Sequence, residues 1–174
     1  MPEGDTIFRT ARTLARALHG QRVQRFESAF APLSVAAENA QLVGRELSEI
    51  TARGKHLLMY FGGALCLRTH MRMSGSWHLY RAGERWQRPR EQMRIVLQAG
   101  GFEAVAFLVH EAELIRTKQL ERALERLGPD VLAPAFDSVQ AAERVLGAGA
   151  RLICDVLLDQ RVLSGIGNVY KSEL

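Results

Sequence analysis

The first residues of the chain, Met-Pro-Glu-Gly, place a proline and a carboxylate side by side. Removal of Met1, which is favoured when the second residue is small, exposes the secondary amine of Pro2. A terminal amine has a pKa near 8, so part of it is neutral at pH 7 and can attack an aldehyde-like carbon to form an iminium. Glu3 can then exchange protons as a general acid and base. Both residues also suit the first turn of a helix, so alone they leave both interpretations open.

A glycine-rich turn near residue 168 is suited to binding phosphate. The segment SGIGNVYKSE places Gly165, Gly167 and Asn168 directly before a predicted helix, and Lys171 follows one turn along. Backbone N–H groups at a helix start bind phosphate when a glycine-rich turn holds them. Glycine turns between helices are common, so this pattern alone does not identify a ligand.

The composition is that of a basic, globular chain with few lysines. Hydrophobic residues make up 47% and charged residues 24% of the 174 residues, and the net charge is +4. Lys55, Lys118 and Lys171 are the only lysines among 23 basic residues, and a positive surface favours polyanionic partners. No apolar run approaches the roughly 18 residues of a membrane span. Cys66 and Cys154 have neither metal-binding nor disulfide-framework spacing, so we expect a cytosolic protein without a metal site.

The periodicity of the chain predicts an α+β fold. Residues 5–19 have helical spacing, with Asp5 or Thr6 as the cap and Gly20 at the end. Short strands with glycine turns from residue 21 to about 110 predict an antiparallel β-sandwich. From about residue 112 the pattern is helical. Helices are predicted within 117–127, 137–147 and 150–160, and a fourth begins at 168.

Five segments, in chain order, carry a resemblance to a known family. They are MPEG, ARGKHLLMYF, THMRMSGSWHLY, LGPDVL and LLDQRVLSGIGNVYKSE. They resemble the amino terminus, lysine-bearing hairpin, void-filling loop, interdomain segment and helix-two-turn-helix motif of the bacterial formamidopyrimidine-DNA glycosylase and endonuclease VIII family of base-excision repair enzymes. The resemblance implies an N-terminal helix and antiparallel β-sandwich domain over residues 1–116. It also implies an incomplete helix-two-turn-helix DNA-binding domain over residues 117–174.

The resemblance assigns catalytic roles to three residues. Pro2 matches the nucleophile that attacks C1′ of the damaged nucleotide, and Glu3 matches the acid/base residue. Lys55 matches the lysine that contacts a phosphate next to the lesion. This role agrees with the retention of Lys55 in an arginine-rich chain.

The resemblance also implies a set of DNA-binding residues. Besides Lys55, these belong to the loop that fills the gap left by an everted base and to the phosphate-binding turn of the helix-two-turn-helix motif. They are Arg72, Met73 and Ser74 in the loop, and Gly165, Gly167, Asn168 and Lys171 in the turn. A flexible, apolar Met73 is a suitable wedge between stacked bases.

Two departures from the family pattern affect the expected substrate and cofactor. Family members continue into a C-terminal zinc finger, so we expect zinc only in that finger, which this sequence does not contain, and no cofactor for catalysis. We therefore expect the chain to be truncated. The D-P-R-R-F-G stretch of the formamidopyrimidine branch is replaced by FLVHEAEL, and MPEG stands in place of MPEL. These features favour the endonuclease VIII branch and oxidised pyrimidines, although HMRMSG is closer to the other branch.

The resemblance implies a bacterial cytoplasmic enzyme that acts as a monomer on damaged double-stranded DNA, not at a membrane. Its activities are those of a DNA glycosylase and an AP lyase, with a Pro2 Schiff base followed by β- and δ-elimination. Alternatives are an oxidised-purine glycosylase of the same family, a non-catalytic reader of damaged DNA, and an N-terminal-proline tautomerase. The phosphate-binding turn disfavours the tautomerase, and retention of Met1 would favour the non-catalytic reader.

Overall fold

Two four-stranded antiparallel sheets form the β-rich part of the chain. The computed structural model describes residues 2–174; Met1, whose removal the catalytic hypothesis requires, lies outside the described residues. The strands are β1 (Val23–Ser28), β2 (Leu47–Arg53), β3 (His56–Phe61), β4 (Leu65–His70), β5 (Ser76–Arg81), β6 (Met93–Ala99), β7 (Phe102–Phe107) and β8 (Glu111–Arg116). One sheet has the order β1-β6-β7-β5 and the other β2-β3-β4-β8. The inner faces of both sheets contribute to one hydrophobic core, which confirms the predicted β-sandwich.

Helix α1 (Gly4–Leu18) completes this core with one apolar face. Ile7, Leu14 and Leu18 are buried at helical spacing, and burying each such side chain contributes about 1.5–3 kcal/mol. The prediction that Asp5 or Thr6 caps the helix is wrong, because the helix begins at Gly4 and Glu3 occupies the cap position. The side chain of Glu3 makes no capping bond to α1, and it is therefore available to contact another element.

The remaining helices are shorter. They are α2 (Ala31–Asn39), α3 (Thr117–Leu124), α4 (Ser138–Leu146), α5 (Ile153–Leu158) and α6 (Asn168–Glu173). Leu120 and Leu124 of α3 pack with Leu58 and Cys66 of the sheet that contains β8. A separate small core joins α4 to the segment that precedes α6. None of the described helices has the length and apolar character that crossing a membrane requires.

Three secondary-structure predictions differ from the structure. Helix α2 lies within the region predicted as strands. Its apolar residues have little helical periodicity and only Leu33 and Ala37 are buried, so the sequence pattern did not indicate a helix. Residues 111–116 form a strand although the pattern was interpreted as helical from about 112, because β8 pairs with β4 along its whole length and such pairing overrides local propensity. The helix predicted within 150–160 is limited to Ile153–Leu158.

Candidate active site

The carboxylate of Glu3 lies at the start of α6, although the two are far apart in sequence. Its oxygens accept hydrogen bonds from the backbone N–H groups of Gly167 at 2.9 Å, Val169 at 2.7 Å and Tyr170 at 3.3 Å. These N–H groups have no partner within the helix, and the positive end of the helix attracts a carboxylate. Glu3 is only 2% exposed, so these three bonds satisfy a buried acid.

Glycines permit the close approach of the amino terminus to this turn. The N–H of Gly4 donates to the carbonyl of Gly165 at 2.9 Å, and a Cβ on Gly4 would lie 3.0 Å from Gly165 Cα. A Cβ on Gly167 would lie 2.5 Å from the carboxyl carbon of Glu3. Gly165 has a φ of +103°, a conformation that favours glycine. Any larger residue at position 167 would displace Glu3.

These contacts change the role of two predicted phosphate-binding residues. The N–H of Gly165 donates to the side-chain oxygen of Gln160 at 3.0 Å, and the N–H of Gly167 donates to Glu3. Both N–H groups are therefore occupied, and the prediction that they bind phosphate is not supported by this arrangement. Asn168 is exposed and Lys171 is half-exposed on α6, so their side chains remain accessible to a phosphate.

Lys55 lies in the turn between β2 and β3, close enough to Glu3 for the carboxylate to affect the pKa of the lysine. Burial lowers the pKa of Lys55, and the nearby carboxylate of Glu3 opposes this shift. Pro2 is half-buried directly before Glu3 in the chain. The structure therefore brings the three predicted catalytic residues to one place, at the junction of α1, the β2–β3 turn and the start of α6.

Asp130 holds the turn that carries Lys55. Its carboxylate accepts the N–H of Gly54 at 2.6 Å and that of Leu132 at 3.0 Å. Gly54 has a φ of +57°, and a Cβ at this position would lie 3.1 Å from the side chain of Ser164. Ser164 is fully buried, and its hydroxyl donates to the carbonyl of Gly128 at 3.1 Å. The segment LGPDVL thus links the Lys55 turn to the glycine-rich turn.

Gln160, Asp130 and Ser164 are positioning residues that sequence reasoning missed. The amide nitrogen of Gln160 donates to the carbonyls of Leu158 and Ile166, both at 2.9 Å. For Asp130 and Ser164 the available signal was a polar residue next to a proline or a glycine in the quoted motifs, whereas Gln160 has no such neighbour. That signal does not reveal which distant backbone group each side chain meets.

The loop between β4 and β5, residues 71–75, presents Met73 to solvent. We call it the tip loop. Met73 is 69% exposed, whereas Met71 is 2% exposed. Arg72 contacts Glu111 of β8 through an ion pair, and the hydroxyl of Ser74 lies 3.4 Å from His110 Nε2. The predicted wedge residue is therefore an exposed apolar side chain between two exposed residues, Arg72 and Ser74, whose side chains contact other elements.

Two histidines connect the tip loop to the Lys55 turn. His56 follows Lys55 and lies opposite His70 in the β3–β4 pairing, with the two rings edge to face at 5.0 Å. Burial lowers the pKa of both, that of His56 to about 4. Among residues 2–174 no cluster of three or more histidine, cysteine or acidic side chains could hold a metal ion.

Comparison with known proteins identifies similar sequences over the whole chain. Residues 1–110 match the family described as formamidopyrimidine-DNA glycosylase N-terminal domain. The chain is 39% identical to a probable endonuclease 8 2 of Streptomyces coelicolor, and it covers 62% of that protein. It is 40% identical to endonuclease 8 2 of Mycobacterium tuberculosis and covers 67% of it. Both alignments include 100% of this chain, which therefore spans about two thirds of the length of these relatives.

Solved structures share the fold. A Lactococcus lactis Fpg in complex with DNA that contains an abasic site aligns with 99% of this chain and 65% of its own, with a TM-score of 0.81 at 22% identity. A MutM in complex with DNA that contains a carbocyclic 8-oxo-G aligns with a TM-score of 0.80 at 22% identity. These similarities confirm the predicted combination of a β-sandwich with a partial helical region.

Proposed function

The chain belongs to the formamidopyrimidine-DNA glycosylase family, and we propose that it is a base-excision repair enzyme with DNA glycosylase and AP lyase activities. The observation that carries the proposal is the convergence of Pro2, Glu3 and Lys55 at the start of α6. The two regions that the sequence marked for chemistry and for phosphate binding are thereby adjacent. We also propose the division of the chain into a catalytic domain, 1–116, and a DNA-binding domain, 117–174, since β8 ends at Arg116 and α3 begins at Thr117.

In the proposed reaction, the amine of Pro2 attacks C1′ of an everted, damaged nucleotide. The bond between C1′ and the base breaks, and the base leaves with its electron pair and takes up a proton. The sugar ring opens to give a Schiff base between Pro2 and C1′. Loss of the C2′ proton then expels the 3′ phosphate, and a second elimination expels the 5′ phosphate. Water then hydrolyses the Schiff base, which breaks the bond between C1′ and the Pro2 nitrogen, restores the amine and releases the sugar fragment from a strand gap with phosphates at both ends.

Glu3 is proposed to move protons during these steps. A carboxylate has about four acceptor positions, and three backbone N–H groups use its oxygens here. A further position remains for proton exchange with the sugar. The same hydrogen bonds fix the carboxylate beside Pro2, so proton transfer needs no reorganisation of the side chain.

We assign the binding of duplex DNA to two regions, the Lys55 turn together with α6, and the tip loop. Lys55 and Lys171 supply ammonium groups, and Asn168 supplies an amide donor, for backbone phosphates. The tip loop enters the gap left by the everted nucleotide with Met73, at a cost in base unstacking that a damaged base reduces. We propose that the protein acts on DNA as a monomer in the bacterial cytoplasm.

Oxidised pyrimidines are the proposed substrates. The sequence has FLVHEAEL where the formamidopyrimidine branch has its arginine-containing stretch, and several relatives carry the name endonuclease 8. The test is a comparison of strand cleavage on two duplexes that differ only in carrying one oxidised pyrimidine or one oxidised purine. Faster cleavage at the pyrimidine supports the proposal, and faster cleavage at the purine assigns the protein to the other branch.

A Glu3→Gln variant and an intact-mass measurement test the chemistry. The variant should lose most strand cleavage while it still binds the damaged duplex, because the amide cannot exchange protons as a carboxylate does. The mass should correspond to a chain without Met1. A chain that retains Met1 has an amide at Pro2, and it would be a non-catalytic binder of damaged DNA.

A further inference from the structure

The tip loop has a backbone that depends on its side-chain contacts. Arg72 has a φ of +53°, a left-handed conformation that is unfavourable for a residue with a side chain. The N–H of Gly75 donates to the carbonyl of Met71 at 2.9 Å, and a Cβ on Gly75 would lie 2.4 Å from that oxygen. The loop is therefore a tight turn that other contacts must hold in place.

Arg72 anchors the turn at two points. Its backbone N–H donates to His70 Nδ1 at 3.1 Å. Its guanidinium forms a hydrogen-bonded ion pair with Glu111, the first residue of β8. Because β8 pairs with β4 throughout, Glu111 belongs to the sheet and not to another loop.

We infer that Glu111 is the positioning residue of the wedge: it binds Arg72 and so holds the tip loop in the shape that presents Met73 to DNA. The inference rests on the proposed function, in which Met73 fills the gap left by the everted nucleotide. A loop that is already ordered loses little conformational entropy when it enters the duplex, whereas a mobile loop loses more and inserts less readily. In this arrangement Arg72 holds the loop through its contacts with His70 and Glu111, and Met73 is the side chain that intercalates.

The ion pair between Arg72 and Glu111 is exposed, so its effect on the loop can be measured without a large effect on the stability of the fold. The side chains of Arg72 and Glu111 are 58% and 45% exposed, and exposed ion pairs contribute little to the free energy of unfolding. Loss of Glu111 should therefore leave the melting temperature nearly unchanged while it loosens the loop. Glu113, two residues along β8, forms a similar ion pair with Arg68 and has a side chain that is 42% exposed, so it provides a matched control.

The experiment compares Glu111→Gln with Glu113→Gln on lesion-containing duplex and single-stranded DNA. Glu111→Gln should lower the rate of base removal from the duplex by up to about fivefold, because loss of an exposed ion pair can shift the population of the ordered loop by no more than about that factor. It should have little effect on single strands, where no gap exists in a base stack. Glu113→Gln should resemble the wild type on both substrates. The charge exchange of Arg72→Glu with Glu111→Arg should recover most of the duplex activity that each single change removes.

Equal rates for the two glutamine variants on the duplex would overturn the inference, and so would an equal loss on single-stranded DNA. Backbone hydrogen exchange at residues 71–75 tests the anchor without DNA. It should accelerate in Glu111→Gln and not in Glu113→Gln, and unchanged exchange would also reject the inference. If exchange accelerates in Glu111→Gln but the wild type removes no base from either substrate, the proposed function is wrong. The role of Glu111 in holding the tip loop is then still supported.

Discussion

Glu3 joins the two halves of the proposed site, because it follows Pro2 in the chain and accepts the backbone N–H groups at the start of α6. The sequence identifies Pro2 and Glu3 as a nucleophile and a proton-transfer group, and it separately marks a glycine-rich turn. It does not show that Glu3 itself accepts the N–H groups of that turn. The contact could not be predicted because it joins residues 164 or more positions apart and depends on a Cβ being absent at Gly167.

His56 gives a prediction about pH. Burial, reinforced by His70 and Arg68, lowers its pKa to about 4, and its buried Nδ1 has no hydrogen-bond partner among the described residues. Above pH 6.5 the imidazole is neutral in both the folded and the unfolded chain. Between pH 6.5 and about 4 the unfolded chain takes up a proton that the folded chain does not. The free energy of unfolding therefore decreases as the pH is lowered through this range.

The contribution of His56 to this loss should be about 2–3 kcal/mol. The measurement is chemical denaturation of the wild type and of His56→Gln at several pH values. The variant should lose less stability between pH 6.5 and 4 than the wild type. Identical slopes in the two proteins would show that His56 does not titrate in this range.

Among the elements of the fold, turns rather than helices or strands position the residues of the candidate site. The β3–β4 and β6–β7 hairpins were predictable from glycine pairs between apolar strands, and α1 and α4 from their apolar periodicity. Helix α2 and strand β8 were not, because their local patterns are weak or conflict with their pairing. The turn at Gly54 and Lys55 is held by Asp130 from a distant segment, and no local pattern encodes such a contact.

Asp130→Ala should therefore impair catalysis more than stability. It removes the acceptor of two backbone N–H groups, those of Gly54 and Leu132, which costs about 1–3 kcal/mol and frees the Lys55 turn. Asp137→Ala is the matched control, because Asp137 also accepts two backbone N–H groups, at the start of α4, and its loss costs about 1 kcal/mol.

Both variants should be compared by melting temperature and by strand cleavage well below that temperature. Asp130→Ala should reduce cleavage at least tenfold relative to Asp137→Ala, in line with the cost of a small displacement in an active site. Equal cleavage by the two variants would mean that Asp130 has only a structural role.

The whole molecule combines a net charge of +4 with a junction between the sandwich and the helical region. The family, the α+β class and the order of the two regions followed from motif order and periodicity, and the family match and solved structures confirm them. The bonds across the junction, from Gly54 to Asp130 and from Gly4 to Gly165, depend on the folded arrangement. They could be located only in the structure.

Lys171→Ala tests the assignment of DNA binding at this scale. Loss of one ammonium–phosphate contact should weaken binding of damaged and undamaged duplexes alike and reduce the slope of log K against log salt by about 1. Lys118, exposed on α3, is the control, and Lys118→Ala should leave the slope unchanged. A defect confined to one type of lesion would contradict the phosphate-binding role of Lys171.

Borohydride trapping on a duplex that contains an abasic site tests whether the amine of Pro2 forms a Schiff base with DNA. Reduction of the Schiff base should give a covalent protein–DNA adduct, and peptide mapping should place it on the amine of Pro2. The adduct should be lost when the amine of Pro2 is selectively acetylated, and it should be retained in Lys118→Ala. Absence of an adduct, or its attachment to Lys55 or Lys171 instead of Pro2, would contradict the account.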